Sequence, residues 1–216
     1  MSSPLFTEQQ VIAAGETVRV SLNSAQAQGV LAYMSGLAKW NKVYNLTAIR
    51  DDHEVWTHHV MDCLAVIQPI RERYPALSHI LDVGSGGGLP GIVLAIAGVS
   101  KRVSCIDAVA KKVAFINQMS ATFQGLPTEL DGIHCRVEKW RGSYDLITSR
   151  AFASLPDFVA WTRHLLAEGG VWMAMKGKMP DQEISQLPAD IEVFHVEQLK
   201  VPGLDEDRCL IWLRPR

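Results

Sequence analysis

The feature that most constrains this chain is a glycine-rich turn between an apolar run and an apolar helix. It reads Leu81-Asp82-Val83-Gly84-Ser85-Gly86-Gly87-Gly88-Leu89-Pro90-Gly91. We interpret His79–Val83 as a buried strand and Pro90–Ala97 as a helix, since proline suits a first helical turn. Glycines allow positive φ and let backbone N–H groups approach a ligand, and a helix start adds free donors and a positive dipole end. The pattern predicts a nucleotide-like site at the carboxyl end of a core strand.

The composition is that of a globular chain. With 216 residues and 48% hydrophobic residues, it can form one large domain or one domain with an extension. No apolar run reaches the roughly 18 residues of a spanning helix, and residues 1–10 lack a signal-peptide pattern. We therefore expect a cytoplasmic protein that does not contact membranes, with a monomer as the default state.

The cysteines, the histidines and the net charge bear on whether the chain binds metals, forms disulfides or binds nucleic acid. The four cysteines are scattered and form no zinc-binding pattern, so we expect neither a metal nor a disulfide framework: Cys63, Cys105, Cys135 and Cys209. The adjacent His58 and His59 point in different directions on a helix and are not expected to bind a metal. A net charge of −2 gives no global case for nucleic acid, although a local basic patch is enough to neutralise a few phosphates.

The first third of the chain is predicted to be helical. Leu31, Met34 and Ala38 form an amphipathic stripe, and Asp51-Asp52 precede a second helix through Val55, His59 and Cys63. We interpret 71–78 as a connection. The predicted organisation is a helical extension over 1–75 and a cofactor-binding domain over 76–216, packed as one compact unit.

From residue 79 onward, strands and helices alternate. The predicted strands are His79–Val83, Arg102–Ile106, Thr128–Cys135, Tyr144–Ser149, Gly170–Lys176, Ile191–Leu199 and Arg208–Leu213. The predicted helices are Pro90–Ala97, Val109–Phe123, Leu155–Leu166 and Asp181–Leu187. Alternation of this kind indicates an α/β fold, a mostly parallel sheet with helices on both faces. The last two strands are joined by a turn-rich link, which predicts an antiparallel C-terminal hairpin.

Two cofactors compete for the glycine turn. Gly86-Gly87-Gly88-Leu89-Pro90-Gly91 matches the dinucleotide fingerprint G-x-G-x-x-G, but that match alone is weak. Asp82 ends the strand just before the glycines, where an anion would repel a pyrophosphate. S-adenosylmethionine (SAM) carries a sulfonium and an ammonium instead, so Asp82 favours SAM. The alternative is that Asp82 is a turn acid that accepts hydrogen bonds from glycine N–H groups.

Asp107 follows the second predicted strand, 23 residues after Gly84. A carboxylate there can accept both ribose hydroxyls of either cofactor. The alternative is a cap of the next helix, which is compatible with both cofactors.

Seven motifs occur in one order along nearly the whole chain. They are Trp40-Asn41-x-x-x-Asn45-Leu46-Thr47, His59-x-x-Asp62-Cys63-Leu64, the glycine turn, Asp107-Ala108-x-x-Lys111-Lys112-x-x-Phe115, Arg136-Val137-Glu138, Ser149-Arg150-Ala151-Phe152-Ala153 and Met175-Lys176-Gly177. Together they resemble the RsmG family, also called glucose-inhibited division protein B. The family often has Thr at the position of Ser85, and both residues carry a hydroxyl. The resemblance implies a class I SAM-dependent methyltransferase fold, Rossmann-like, with an N-terminal helical extension.

The resemblance also implies an activity and a binding site. Family members methylate N7 of a guanine in 16S ribosomal RNA of the small ribosomal subunit, leaving S-adenosylhomocysteine (SAH). It implies SAM contacts from Gly84, Leu89, Val137, Glu138 and Arg150. From the fold pattern we add Asp82, Gly86, Gly88 and Asp107.

Other methyltransferase chemistries lack their residues in this chain. Adenine amino methylation usually uses an [Asp/Asn]-Pro-Pro-aromatic loop, and the chain has no Pro-Pro. Cytosine C5 methylation needs a cysteine nucleophile, typically after Pro or Thr, and none of the four cysteines follows either residue. Guanine N7 carries a lone pair and no proton, so a direct displacement there needs no general base, only alignment.

Several residues have both a functional and a structural interpretation. Arg150 is a candidate for positioning the cofactor or the base, or an ion-pair partner of a nearby acid. Lys111, Lys112 and Lys176 are candidates for RNA phosphate contact, or parts of solvated faces. We interpret Asn41, Asn45 and Thr47 as caps and turn formers, with RNA contacts as the alternative. We interpret Trp40 and Tyr44 as core anchors, with platforms for base stacking as the alternative.

Two other functions remain open at this stage. The dinucleotide match motivates an NAD(P)-dependent oxidoreductase, which binding of NAD(P) but not SAM would indicate. The near-neutral charge motivates a small-molecule methyltransferase, which would show no salt-dependent affinity for RNA.

Overall fold

The computed structural model describes residues 6–123 and 125–216. Its first part is helical, with α1 (Glu8–Thr17), α2 (Ser24–Tyr44), α3 (Asp52–Val55), a π-helical turn (Trp56–Met61), α4 (Asp62–Leu64) and α5 (Ile67–Arg73). Asp51 caps α3 by accepting hydrogen bonds from the N–H groups of His53 and Glu54, which confirms the predicted acidic start. The expected connection over 71–78 is too long at both ends, because α5 continues to Arg73 and the first strand begins at Leu77.

The second part alternates as predicted. Its strands are β1 (Leu77–Val83), β2 (Ser100–Asp107), β3 (Glu129–His134), β4 (Tyr144–Arg150), β5 (Leu166–Lys176), β6 (Ile191–Leu199) and β7 (Arg208–Pro215). Its helices are α6 (Gly91–Ala97), α7 (Ala110–Thr122), α8 (Leu155–Thr162) and α9 (Asp181–Ser185), with 3₁₀ turns at Val137–Lys139 and Arg163–Leu165. Each predicted strand and helix is present, with ends shifted by a few residues.

The seven strands of the described residues form one sheet in the order β3-β2-β1-β4-β5-β7-β6. The first five strands pair in parallel, whereas β7 lies antiparallel between β5 and β6. The predicted parallel sheet with a C-terminal antiparallel hairpin is confirmed. The order changes direction beside β1, which places the β1 and β4 ends at the point where open α/β sheets bind ligands.

The sheet is covered on both faces by hydrophobic residues. On one face, Ile80, Leu146 and Trp212 share a core with residues of the N-terminal helices such as Val30 and Ile67. On the other face, Leu81, Ile147 and Trp172 pack with α8. The N-terminal helices therefore complete one side of the sheet and do not form a core of their own.

Helix α2 packs by a different face from the predicted one. Val30, Tyr33 and Leu37 are fully buried, whereas Leu31, Met34 and Ala38 are only half-buried. The spacing gave the correct period, but the predicted stripe is displaced by one residue, because α2 is covered by α1, α6 and α7 together. Tyr44 is also not a core anchor, since it lies in the last turn of α2 and is 42% exposed.

Within the described residues, the structure contains no helix that combines the length and the hydropathy needed to cross a membrane.

Candidate functional site

The glycine-rich loop leaves β1 with a backbone that only glycine adopts easily. Gly84 has a φ of 67° and donates its N–H to the carbonyl of Ile106 at 2.9 Å. A Cβ on Gly84 would overlap the ring of Phe152, which lies directly above it. Gly86 and Gly88 also have positive φ values. The loop therefore presents main chain, not side chains, to the space above the sheet.

Asp82 lies beneath this loop. Its side chain is fully buried, and Oδ2 accepts a hydrogen bond from the Gly91 N–H at 2.9 Å. Burial, partly opposed by that hydrogen bond, raises the pKa of Asp82 to about 7. Asp82 lines neither cavity beside the loop. Of the two interpretations from sequence, these contacts match the turn acid, because the carboxyl group holds the start of α6 against the end of β1.

Asp107 ends β2 on the other side of the loop. Oδ2 accepts from the Gly86 N–H at 3.0 Å, and Oδ1 accepts from the Val109 N–H at 2.8 Å. The Lys112 ammonium lies 3.6 Å from Oδ2. The carboxylate borders a cavity, although only a small part of it is exposed. It thus combines the predicted position at the cavity with the predicted contact to the start of α7.

The smaller of the two cavities beside the loop has a volume of about 430 Å³. It is formed by residues that follow β1 to β4, including Asp107, Val137, Glu138, Phe152 and Trp161. Phe152 and Trp161 pack edge to face with their ring centroids 5.7 Å apart. The cavity therefore offers apolar surface together with carboxylates, which suits a flat heterocycle joined to a hydroxylated sugar. We call it the β2–β3 cavity.

The larger cavity, of about 570 Å³, lies on the opposite side of Gly84. The N-terminal helices and the loop after α2 supply much of its wall, including Leu46, Thr47, His59 and Asp62. Arg150 and Lys176 enter from the ends of β4 and β5. We call it the helical-side cavity. The two cavities share Gly84, Lys112 and Ala151.

Ala151 was not predicted as a site residue beyond its place in a motif. It lies between the cavities with a φ of 51°, in the left-handed region that favours glycine. This conformation directs Arg150 toward the helical-side cavity and Phe152 toward the β2–β3 cavity. Backbone strain of this kind concentrates at functional sites, but a sequence does not reveal it.

Arg150 makes the ion pair that was the structural alternative, while still lining the helical-side cavity. Nη1 donates to Asp62 Oδ2 at 3.1 Å and to the His58 carbonyl at 2.8 Å. Arg208 binds the other oxygen of Asp62, with Nε at 3.1 Å from Oδ1. The Asp62 side chain is only 3% exposed, so one buried carboxylate fixes two arginines and links α4 to the sheet.

Thr47 and His59 form a second polar contact in the same wall. Thr47 Oγ1 lies 2.8 Å from His59 Nε2, and His59 Nδ1 lies 3.3 Å from Arg150 Nη2. Burial, with the charge of Arg150 as the next cause, lowers the pKa of His59 to about 4. The imidazole is therefore neutral near pH 7. Asn41 accepts from the Thr47 N–H and Asn45 ends α2 in a left-handed conformation, as their predicted turn roles require.

The three lysine candidates differ in their surroundings. Lys176 donates to Glu183 Oε2 at 2.7 Å and to the Ala153 carbonyl. Its side chain is only 18% exposed, so it is not part of a solvated face, and it lines the helical-side cavity. Lys112 lines both cavities, whereas Lys111 is exposed and lines neither.

The structure brings most of the predicted residues to one place. Those lining one or both cavities are Gly84, Gly86, Leu89, Asp107, Lys112, Val137, Glu138, Arg150 and Lys176. Those lining neither are Asp82, Gly88 and Lys111. A groove of about 850 Å³ near the link between β6 and β7 contains none of the predicted residues. Among residues 6–123 and 125–216, no group of three His, Cys, Asp or Glu residues is arranged to hold a metal ion.

Solved structures show the same fold at low sequence identity. Magnesium protoporphyrin IX methyltransferase from Synechocystis, with bound SAM, matches with a TM-score of 0.59 and 13% identity, covering 91% of this chain and 99% of that one. TrmK from M. capricolum, in complex with SAH, matches with a TM-score of 0.53 and 12% identity, covering 69% of this chain and 67% of that one. The architecture is the class I SAM-dependent methyltransferase fold.

Sequence comparison gives much closer relatives. A protein of Acidovorax sp. strain JS42, named ribosomal RNA small subunit methyltransferase G, is 53% identical over 205 residues, covering 91% of this chain and 90% of its own length. A protein of Leptothrix cholodnii with the same name is 52% identical over 208 residues, covering 95% and 94%. The family model described as rRNA small subunit methyltransferase G matches residues 26–211. This chain therefore belongs to the rRNA small subunit methyltransferase G family.

Proposed function

We propose that this protein transfers a methyl group from SAM to N7 of a guanine in 16S ribosomal RNA, by direct in-line displacement without a covalent enzyme intermediate. The observation that carries the proposal is the pair of cavities that meet at Gly84 and Ala151 in a member of this family. One cavity has the chemistry for a nucleoside and the other has room for a second base. Their junction brings the two ligands together.

The β2–β3 cavity fits the adenosyl part of SAM. Asp107 lies where a carboxylate can accept the ribose hydroxyls, and Val137 and Glu138 border the space beside it. On this assignment the bare main chain of Gly84 and Gly86, with Leu89, contacts the methionine part. Lys112, which reaches both cavities and lies 3.6 Å from Asp107, is a cation that can also bind the carboxylate of that part. Asp82 acts only through the loop it holds.

The helical-side cavity has a wall suited to an acceptor that needs no deprotonation. Its one carboxylate among the lining residues, Asp62, is occupied by two arginines. Its buried imidazole, His59, is held between Thr47 and Arg150. None of the described residues lining this cavity is a cysteine, so a covalent route has no nucleophile there. Guanine N7 is already a free lone pair and only has to be aligned.

The chemistry then requires alignment more than acid–base work. When bound, SAM supplies a methyl group whose bond to sulfur breaks, leaving the electron pair on sulfur, as the bond to guanine N7 forms. Arg150, fixed by Asp62 and the His58 carbonyl, and Ala151, at the junction, limit the positions a base can take. This restriction produces the near-attack geometry that accelerates a bimolecular transfer.

The test uses small ribosomal subunits from a strain that lacks the gene. The purified protein and SAM are incubated with the subunits, and mass mapping locates new methyl groups in the 16S RNA. We expect one guanine of the 16S RNA to gain one methyl group, an increase of about 14 Da. Methylation at N7 should also make the RNA chain cleavable at that guanine by borohydride reduction followed by aniline. Methylation at another atom, or no transfer, would contradict the proposal. Subunits already methylated in the parent strain serve as the control.

A further inference from the structure

The loop after α2 presents a hydroxyl to the helical-side cavity, and its hydrogen bonds determine what that hydroxyl can do. Thr47 Oγ1 lies 3.2 Å from the Ile49 N–H, which donates to it, and 2.8 Å from His59 Nε2. The loop is rigid around it, because Asn41 accepts from the Thr47 N–H at 3.0 Å and donates to the Ile49 carbonyl at 3.1 Å. Thr47 is thus held in place at the cavity wall.

The direction of the contact between Thr47 and His59 follows from the other ring nitrogen. His59 Nδ1 lies 3.3 Å from Arg150 Nη2 and 3.1 Å from the His58 carbonyl. A guanidinium is always protonated and can only donate, so a protonated Nδ1 would set two donors against each other. The His58 carbonyl already accepts from Arg150 Nη1 at 2.8 Å and does not need the imidazole. Either tautomer leaves one unfavourable contact, because Nδ1 faces both a donor, Arg150 Nη2, and an acceptor, the His58 carbonyl. A protonated Nδ1 would face the charged guanidinium, whereas an unprotonated Nδ1 faces only a neutral carbonyl that already has a donor. The second arrangement is therefore favoured, with Nδ1 as an acceptor and the proton on Nε2.

That tautomer fills the acceptor sites of Thr47. Its oxygen then receives one hydrogen bond from His59 Nε2 and one from the Ile49 N–H. A hydroxyl has two lone pairs and one proton, so Thr47 retains only its donor. Among the hydrogen bonds of residues 6–123 and 125–216, no protein acceptor takes this proton. The wall therefore offers the cavity a hydroxyl that donates and does not accept.

From this geometry we infer that Thr47 is a specificity-determining residue that donates to O6 of the acceptor base, and that the Thr47–His59–Arg150 chain selects a 6-oxopurine over a 6-aminopurine. The inference rests on the proposed function and deepens it. Guanine presents two acceptors, N7 and O6, on one edge, whereas adenine presents an amino donor beside N7. An amino group facing Thr47 would leave two donors opposed, and sites built around a hydrogen bond reject bases that cannot complete it.

The experiment compares two purines at the methylated position. Small subunits are reconstituted with ligated 16S RNA carrying guanine or 2,6-diaminopurine, which differs from guanine by an amino group in place of O6. Rates are measured with the wild-type protein, Thr47→Val and Thr47→Ser, and SAH affinity is measured calorimetrically for each. Thr47→Val removes the hydroxyl with little change of shape, and Thr47→Ser keeps it.

We expect the wild-type protein to prefer guanine strongly. Thr47→Val should lose about ten- to hundredfold in kcat/KM on guanine, with a much smaller change on 2,6-diaminopurine, and Thr47→Ser should restore the preference. SAH affinity should stay within about twofold in all three proteins, because Thr47 lies outside the β2–β3 cavity and is not among the residues assigned to the amino-acid part of the cofactor. A structural role alone would lower the rates on both purines together.

Two results would overturn the inference while leaving the proposed function intact. One is a Thr47→Val protein that methylates guanine N7 with the wild-type preference. The other is a Thr47→Ser protein that binds SAH normally but shows no recovery of the preference. If the wild-type protein transfers no methyl group to guanine N7, the proposed function itself fails and the inference fails with it.

Discussion

The two cavities that meet at Gly84 and Ala151 are built by different parts of the chain. The β2–β3 cavity is lined by Val83 to Trp161, all from the sheet, its loops and α7 and α8. The helical-side cavity takes eight of its twenty lining residues from the chain before β1, among them Tyr33, Thr47 and Asp62. The methyltransferase fold therefore supplies one cavity, and the N-terminal helices complete the other.

The polar groups of the two cavities are also held in different ways. Asp107 binds the backbone N–H groups of Gly86 and Val109, which belong to the sheet and its loops. Asp62 and His59 instead join the N-terminal helices to the sheet, since Asp62 bridges Arg150 and Arg208 and His59 contacts Arg150. The first set of hydrogen bonds lies within the part of the chain that forms the sheet, whereas the second requires the N-terminal helices to be in place. Five variants, in four experiments, test this contrast.

The largest expected effect is on stability, from Asp62→Ala. Arg150 and Arg208 are only 20% and 18% exposed, and the change removes the carboxylate that neutralises both. Because two largely buried charges lose their partner, the free energy of unfolding should fall by about 3–5 kcal/mol. Urea denaturation measures this. The matched control is Glu192→Ala, which removes a more exposed pair with Arg214 and should cost less than about 1 kcal/mol. Equal losses in the two variants would show that Asp62 does not anchor the N-terminal helices.

The next effect is on cofactor affinity, from Asp107→Ala. Because the carboxylate holds Gly86 and is placed to accept the ribose hydroxyls, SAH binding should weaken by about 1.5–3 kcal/mol, roughly ten- to hundredfold. Calorimetry with SAH measures the change. Asp131→Ala removes a carboxylate of the same sheet that contacts Arg102 and Ser104, outside both cavities, and should leave SAH affinity unchanged. Unchanged affinity in Asp107→Ala would remove Asp107 from the cofactor site.

A smaller effect concerns the dependence of stability on pH. Asp82 beneath the glycine loop and His59 in the wall of the helical-side cavity should change the free energy of unfolding with pH in opposite directions. The raised pKa of Asp82, about 7, means that the native state binds more protons than the unfolded state between about pH 4 and 7, so its contribution falls as pH rises. The lowered pKa of His59, about 4, means that the native state binds fewer protons between about pH 4 and 6.5, so its contribution falls as pH decreases.

Replacing each group should therefore change the slope in opposite directions. Asp82→Asn keeps an acceptor for the Gly91 N–H and should make stability rise more steeply with pH, whereas His59→Gln should make it rise less steeply. Unfolding free energies between pH 4.5 and 7 measure both. Slopes that move in the same direction would contradict the assigned protonation states.

The smallest effect is on the salt dependence of RNA binding. Lys111 is exposed on α7, so Lys111→Gln should lower the slope of log affinity against log salt by about 0.7, the value for one phosphate contact on single-stranded RNA. Lys176→Gln is the control, because the charge of Lys176 is already paired with Glu183. Filter binding at several salt concentrations measures both slopes. A larger change in Lys176→Gln would place the RNA at the β5 end instead.

The sequence predicted the local features well. Strand positions follow from apolar runs and glycine turns, and Asp107 was found because its place after β2 is fixed by the fold. The orientation of Asp82 was not predictable in the same way. Strand β1 is buried on both faces, so alternation does not indicate that this side chain faces α6 and not the cavity. Because Asp82 lines neither cavity, its charge is no longer a reason to favour SAM over a dinucleotide. The fold and the family are the reasons that favour SAM.

The distant contacts were beyond sequence reasoning for a different physical reason. Asp62 and Arg150 are 88 residues apart, and nothing in their own segments indicates that one carboxylate also binds Arg208. The motif His59-x-x-Asp62 gave a usable signal, since side chains three residues apart share a helical face. The positive φ of Ala151 could not be predicted, because alanine, unlike glycine, does not favour the left-handed region.

The most direct test of the central claim, that the sheet holds the cofactor and the helices complete the base site, is a crystal structure of the protein with SAH. We predict that the adenosyl group lies in the β2–β3 cavity against Asp107 and Val137, with the sulfur beside Ala151 and the amino-acid part along Gly86 and Leu89. The part of the helical-side cavity beside Thr47 and His59 should stay open. An adenosyl group bound against Thr47 and His59 would contradict the account.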